Sequence, residues 1–299
     1  MRQWPQKTST STVGLRGKFL WKFFIAPTSN YLCGMFLSPQ HTLINVPVRI
    51  VSLVPSITAL LHTLELEEET IGITKFCIHP NEWYRNKIRV GGTKNVDIQK
   101  VASLKPDLII ANREENVQVQ IESLATDFPV LLTDVNNLAQ ALDMIETVGK
   151  ITKRTPLASI VYKGIKDSFR QLALTRQNNT PLEAAYLIWK NPYMSVGSDT
   201  FIHDMMIQAG FNNVFDHQTR YPEVTIRDIQ QSNCKVLLLS SEPYPFKQAD
   251  IDEWKAQLPD VQVLLVNGEM FSWYGSLLLE APLYFAQLMD EIHLYPKNM

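Results

Sequence analysis

The 299-residue chain reads as an α/β protein of two parallel-sheet lobes joined by a single long helix. Three observations predict this. A helix–turn–strand segment occurs twice: Asp97-Ile98-Gln99-Lys100-Val101-Ala102-Ser103-Leu104-Lys105-Pro106-Asp107-Leu108-Ile109-Ile110 is matched without a gap by Thr225-Ile226-Arg227-Asp228-Ile229-Gln230-Gln231-Ser232-Asn233-Cys234-Lys235-Val236-Leu237-Leu238. Short apolar runs alternate with amphipathic stretches on either side, the pattern of βαβ units in a parallel sheet. Between the two copies, from Leu138 to about Thr175, helical periodicity persists with no strand signal. A unit that recurs once is not a solenoid, which needs at least three copies. It predicts two similar lobes with a ligand cleft between them.

The elements follow in order. Arg49-Ile50-Val51-Ser52-Leu53-Val54 is a short apolar run, as expected of a strand buried on both faces. Ser56 is read as the cap of a helix with Ile57, Leu60, Leu61 and Leu64 on its face, and His62 as a satisfied core residue. Ile71 to Thr74 predicts a second strand, Leu108 to Ala111 a third and Val130 to Thr133 a fourth, with Val119 to Leu124 in a helix. Leu142, Ile145, Val148 and Ile151 share one helical face. Thr155-Pro156 starts the next helix, because proline is preorganised for the first helical position. Ile160, Val161, Ile165, Phe169 and Leu172 run along it. At 1.5 Å per residue its roughly 20 residues extend about 30 Å, enough to connect two lobes. Asn178-Asn179-Thr180-Pro181 ends it. Ala184 to Trp189 is the next strand, and Ser198-Asp199 is read as capping the helix of Ile202, Met205, Met206 and Ala209. Val236 to Ser240 and Val261 to Val266 are the last strands, before an aromatic-rich loop and a closing helix from about Leu277 to Ile292. The expected organisation is an extension over 1–47, lobe one over 48–150, a connecting helix over 155–176 and lobe two over 182–299.

Composition excludes several function classes. Hydrophobic residues are 45% and charged residues 19%, normal for a full core. A net charge of −2 gives no field toward nucleic acid or anionic lipid. Cys33, Cys77 and Cys234 are too few and too scattered for a disulfide framework. No P-loop, GxGxxG, HExxH or GxSxG motif is present to carry phosphate, cofactor, metal or acyl chemistry. An enzyme with acid–base residues in the cleft is the remote alternative.

Residues 1–47 carry Arg2, Lys7, Arg16, Lys18 and Lys22, and no acidic residue precedes Glu65. A basic leader with apolar patches suits an export signal. Yet Lys22 splits Phe19-Leu20-Trp21 from Phe23-Phe24-Ile25, and Tyr31 to Leu37 falls short of the roughly 20 residues of a membrane span. The segment is a poor signal, an extension or a consequence of the assigned start. A periplasmic or envelope location and a cytoplasmic one both remain open on these residues.

From Arg49 to about Ile292 the chain resembles the helix-backboned solute receptors of ABC importers, and within them the helical backbone metal receptor branch. The matching residues are Arg49–Ser56, Thr74-Lys75-Phe76-Cys77-Ile78-His79-Pro80, Val90-Gly91-Gly92-Thr93-Lys94-Asn95 and Leu104–Asn112, then Ser195-Val196-Gly197-Ser198-Asp199-Thr200-Phe201, Ser240-Ser241-Glu242-Pro243 and Gly268-Glu269-Met270-Phe271-Ser272-Trp273-Tyr274-Gly275-Ser276. The resemblance implies two Rossmann-like lobes, a monomer, and a corrinoid, haem or ferric siderophore bound as cargo rather than as a built-in cofactor.

Open α/β sheets place ligands at the carboxyl ends of their strands. On those loops Phe271, Trp273 and Tyr274, with Tyr193, Tyr221 and Tyr244, offer flat faces suited to a macrocycle or aromatic chelate; alternatively Trp273 or Tyr274 plugs the core. Cys77 and His79 are a candidate imidazole–thiolate pair for a metal, with His79 the candidate axial ligand, or Cys77 is a buried small hydrophobe. Glu242 and Glu269 are expected to accept ligand hydroxyls or amides, or to cap helices at a solvated rim. The resemblance also implies one permease-docking carboxylate per lobe. By motif offset these fall at Gln118 and Arg227, neither acidic, with Glu115 and Asp228 close enough to substitute. Leu277 stands where close relatives carry arginine.

Overall fold

The computed structural model describes residues 34–36 and 45–294. Cys33, the patches Phe19–Trp21 and Phe23–Ile25, and nearly all of the basic leader lie outside the described residues. The chain divides into two compact units. Unit 1 runs to Asp134 and takes Thr147–Thr155 as well; unit 2 comprises Val135–Glu146 and the chain from Pro156 onward.

Unit 1 is a six-stranded sheet. Its strands are β1 (Gly34–Phe36), β2 (Ile50–Ser52), β3 (Thr70–Ile73), β4 (Ile88–Arg89), β5 (Leu108–Asn112) and β6 (Val130–Thr133), in the order β1-β6-β5-β2-β3-β4. Every residue of β2, β5 and β6 is buried, which explains their unbroken apolar runs. Five strands are parallel. The exception is β1, antiparallel to β6 with Gly34 opposite Thr133, so part of the expected extension is an edge strand of the sheet. An edge strand entering from the amino-terminal side needs no crossover helix, so it is free to run antiparallel.

The helices of unit 1 are α1 (Pro55–Thr63), α2 (Asn81–Asn86), α3 (Ile98–Ser103) and α4 (Gln118–Asp127). Ser56 does not cap α1. Val54 holds the cap position without a side-chain bond and Pro55 starts the helix, so proline preorganisation replaces a hydroxyl cap. Ile57, Leu60 and Leu61 are buried as expected. His62 is exposed rather than in the core, standing edge-on to Trp83 at 5.3 Å.

The chain changes unit within α5 (Leu138–Ile151). In unit 2, α6 (Thr155–Thr175) buries Val161, Ile165, Phe169 and Leu172, as their spacing predicted, and Ala158 with them; Ile160, expected along the same face, is 67% exposed, because it lies about 100° around the helix from Val161. The sheet of unit 2 is wholly parallel. It comprises β7 (Leu182–Leu187), β8 (Phe211–Asn213), β9 (Val236–Ser240) and β10 (Gln262–Val266) in the order β10-β9-β7-β8. Its helices are α7 (Phe201–Ala209), α8 (Ile226–Gln231), α9 (Gln248–Gln257), α10 (Gly268–Ser272) and, after a 3-10 turn at Ser276–Leu279, α11 (Ala281–Leu294). Thr200, not Ser198 or Asp199, caps α7 by accepting from the His203 amide at 3.2 Å. Gly210 ends α7 with φ of 97°, and the Arg176 guanidinium packs against it while donating to the Gln208 carbonyl, so any side chain there collides. On one face of the sheet, Leu187, Leu237, Leu239 and Val263 pack with Ile229 and Trp254. Complete burial of such side chains is worth roughly 1.5–3 kcal/mol each.

The sequence repeat is a structural repeat. Helices α3 and α8, and strands β5 and β9, occupy the same positions of the two copies. The helix caps correspond: Asp97 accepts from the Lys100 amide and Thr225 from the Asp228 amide. Lys105 and Asn233, also equivalent, both adopt positive φ at the turn into the strand.

In unit 1 the loops at the carboxyl ends of the strands are held by Asn116. Its Oδ1 accepts from the Asn112 amide (2.8 Å), and its Nδ2 donates to the carbonyls of Leu53 (3.2 Å) and Thr93 (3.0 Å). Asn116→Ala leaves three backbone groups without this partner, and unsatisfied buried groups cost about 1–3 kcal/mol each. The variant is expected to lose at least about 2 kcal/mol of stability, measured by urea unfolding at unchanged m-value.

Candidate functional site

In unit 1 the loop after β3 separates the residues expected to act together. Cys77 is buried: its Sγ lies 3.1 Å from both Thr58 Oγ1 and Thr74 Oγ1. Burial pushes its thiol up, against hydrogen bonds from Thr58 and Thr74 that pull it down. It is a core residue and not the thiolate of a metal pair. His79, two residues on, is exposed. The loop also exposes Phe76 (50%) and Ile78 (45%), and the Lys75 ammonium sits 5.1 Å from the Phe76 ring centre. The Lys75 amide donates to Gly91 (2.8 Å), which fastens this loop to the Gly91–Asn95 turn. After β5, Asn112 Oδ1 accepts from the amides of Glu114 (2.8 Å) and Glu115 (3.0 Å), fixing the loop that leads to α4.

In unit 2 the loops after β9 and β10 are tied into one network. The Tyr186 hydroxyl donates to Ser240 Oγ (3.0 Å), which donates to the Glu242 carbonyl (2.6 Å). Glu242 Oε1 accepts from Ser272 Oγ (2.5 Å) and from the Trp273 indole (3.0 Å). The Gly268 amide donates to Ser241 Oγ (2.9 Å), and a side chain at Gly268 would strike Ser240 and Glu242. Glu242 is thus first a clamp between two loops. Glu269, half-buried, lies in the first turn of α10, whose cap is Asn267.

The aromatic cluster divides differently from expectation. Phe271 is fully buried against Tyr186 (5.1 Å), Phe285 (4.8 Å) and Tyr284 (6.3 Å), so it is core and not a ligand platform. Trp273 and Tyr274 are also buried, Tyr274 standing edge-on to Phe201 at 5.6 Å, which fits the core-plug alternative. Tyr193, half-buried, packs on Trp254 at 4.7 Å and donates to Glu253 (3.2 Å), which braces the loop after β7. Tyr221 is half-buried with the Arg220 guanidinium 5.6 Å from its ring centre. Trp189, read above only as a strand end, is 40% exposed with Tyr244 beside it. The available signal was its position: an aromatic closing an apolar run before a Lys-Asn-Pro turn.

The docking candidates are equally specific. Gln118 opens α4 and donates to Glu122 (2.8 Å). Glu115 is half-buried in the loop held by Asn112. Arg227 and Asp228 are exposed on α8, but Asp228 is committed to a capping box, accepting from the Thr225 amide and hydroxyl at 2.7 Å. Those Thr225 bonds draw its carboxyl below the ordinary range. Among the described residues no group of three or more His, Cys, Asp or Glu could hold a metal ion, and no helix is long and apolar enough to cross a membrane.

Both units carry tied loops at the carboxyl ends of parallel strands, where open α/β sheets receive ligands. A family model described as Periplasmic binding protein matches residues 50–261, and the chain belongs to that family, one of binding proteins rather than enzymes. It is 24% identical over 241 residues to the vitamin B12-binding protein of Pectobacterium carotovorum, covering 79% of this chain and 86% of that protein. An uncharacterized ABC transporter substrate-binding lipoprotein of Bacillus subtilis is 26% identical over 196 residues, 62% of each chain. Among solved structures, the periplasmic vitamin B12 binding protein of Vibrio cholerae matches with a TM-score of 0.73 at 19% identity, covering 84% of this chain and 99% of that one.

Beside this site, Lys190 makes 2.7 Å ion pairs with both Asp250 and Glu253. Hydrogen bonds from Lys190 hold Glu253 below its ordinary value, and the same ammonium, with the Lys247 amide, outweighs burial at Asp250. Depressed carboxyls stabilise the fold above the ordinary carboxylate range, and that stability is lost as pH falls through their folded values. Lys190→Met is therefore expected to be less stable than the parent at pH 7, with the two urea-unfolding curves converging as pH drops below about 4.

Proposed function

We propose that the chain is a solute-binding protein that captures a metal chelate, a corrinoid first and haem or ferric siderophore next, for an ABC importer in the cell envelope. The observation that carries this reading is the family match across both units. It is supported by the printed functions of the relatives and by the loops at the strand ends, where parallel sheets receive ligands. On the unit 1 loops the candidate contacts are Phe76, Ile78 and His79; on the unit 2 loops they are Trp189, Tyr221, Tyr244 and Glu269. Phe76 and Ile78 supply apolar area, and His79 supplies an imidazole to a metal centre with an open axial position. Glu242, with Oε1 already engaged, acts by holding its loop.

The test is a titration of the purified chain with cyanocobalamin, haemin and a ferric siderophore, followed in the visible. Saturable binding of at least one is expected, and no binding of any would refute the reading. His79→Ala is expected to alter the visible spectrum of the bound chelate; an unchanged spectrum and affinity removes the axial-ligand role.

One observation favours a second reading, a carrier or sensor that does not dock a permease. Arg227 stands at an expected docking carboxylate and would meet a cationic socket with like charge, while Asp228 is occupied as a cap. Fractionation of the native host separates the two. An importer receptor is recovered with the envelope, and a protein found only in the cytoplasm would decide for the carrier.

A further inference from the structure

We propose that the outer face of α6 and α11 in unit 2 is a self-association surface, and that its partner is a second copy of this chain. The two helices are neighbours. Phe169 meets Phe285 ring to ring at 6.4 Å, and a side chain at Gly164 would strike Leu279, in the turn before α11. Gly164 is thus level with Leu279 and Phe169 with Phe285, so α6 and α11 run in the same direction.

Each helix turns a stripe away from the core. At about 100° per residue, the stripe of α6 is Ile160, Lys163, Asp167, Arg170 and Leu174, all exposed and opposite the buried Val161, Ile165 and Phe169. On α11 the stripe is Leu283, Gln287, Asp290 and Leu294, with Glu280 just before it and Glu291 beside it. Large apolar side chains are grouped here: Ile160 is 67% exposed, Leu283 66% and Leu294 74%, with Leu174 and Leu279 also open. Exposed aliphatics scattered singly mean little, whereas grouped ones mark an interaction surface.

Charge names the occupant. The α6 side is basic, with Lys163, Lys166 and Arg170 against Asp167, and the α11 side is acidic, with Glu280, Asp290 and Glu291. Although the helices adjoin, these charges form no ion pair with each other among the described residues. Because the helices run in the same direction, a twofold axis through the face lays α6 antiparallel on α11 of the second copy. With the levels fixed above, Ile160 then falls opposite Leu294, Lys163 opposite Asp290 and Glu291, and Leu174 opposite Leu279. Arg170 comes within a turn of Glu280. One patch is thus complementary to itself, as an isologous contact requires. The 14 residues of α11 extend about 21 Å, so the face is small and the dimer is reversible rather than obligate.

The experiment is sedimentation velocity of the full chain over a concentration series, at low and high salt. The parent is expected to shift from monomer to dimer as concentration rises, and back as salt screens the pairs. Lys163→Glu with Arg170→Glu should raise the dimer dissociation constant about tenfold or more, and Asp290→Lys with Glu291→Lys should do the same. The chain carrying all four exchanges restores the complementarity and should dimerise within about threefold of the parent, a recovery that a folding defect would not produce. A parent that stays monomeric throughout overturns the proposal. So does a dimer that neither charge reversal weakens, or one that the four exchanges together fail to restore.

Discussion

A parallel strand buried on both faces delivers its last backbone groups into a place where water cannot serve them. That constraint shapes both units. In unit 1 the amide and side chain of Asn112, at the end of β5, are taken up by Asn116 and Thr133, and Asn116 also reaches the carbonyls of Leu53, after β2, and Thr93, after β4. In unit 2 the equivalent end of β9 is Ser240, which receives the Tyr186 hydroxyl and passes its own proton to Glu242. An unpaired polar group in such a setting costs more than a made bond contributes, so these side chains are conditions of the fold rather than additions to it.

The same constraint organises the site. Loops that must satisfy one another's backbone groups cannot move independently, so the surface they present is set before a ligand arrives. Preorganisation of this kind reduces the ordering cost of binding. Glu242 shows how far it goes: one carboxylate oxygen joins Ser272 and Trp273 of the following loop to its own. The network consumes Trp273 and leaves Trp189 partly exposed.

Much of this was legible in the residues, for a definite reason. β5, β6 and β9 are buried at every position, so their sequences are unbroken apolar runs, and the paired caps Asp97 and Thr225 announce α3 and α8. Elements without an apolar run or stripe were not legible. β4 has two exposed residues, and α9 is mostly polar with only Asp250, Ile251 and Trp254 buried. The orientation of the aromatics was the main loss. Phe271 and Trp273 sit in a short helix and its end, so a run that reads as an aromatic loop is rotated into the core, while Trp189 is turned outward by the loop that follows β7. Composition is the same in the two cases; packing decides which ring meets water.

The two copies of the repeat also diverge in a way that bears on function. Their helices share caps, turns and strand register, yet the loops beyond them use different chemistry. The unit 1 loop closes on amide side chains, Asn112 and Asn116, which satisfy donors and acceptors together and leave Phe76, Ile78 and His79 exposed after a different strand. The unit 2 loop closes on a serine and a carboxylate, which recruits an indole N–H and so draws Trp273 inward. Two units that share a scaffold thus differ in what their loops expose.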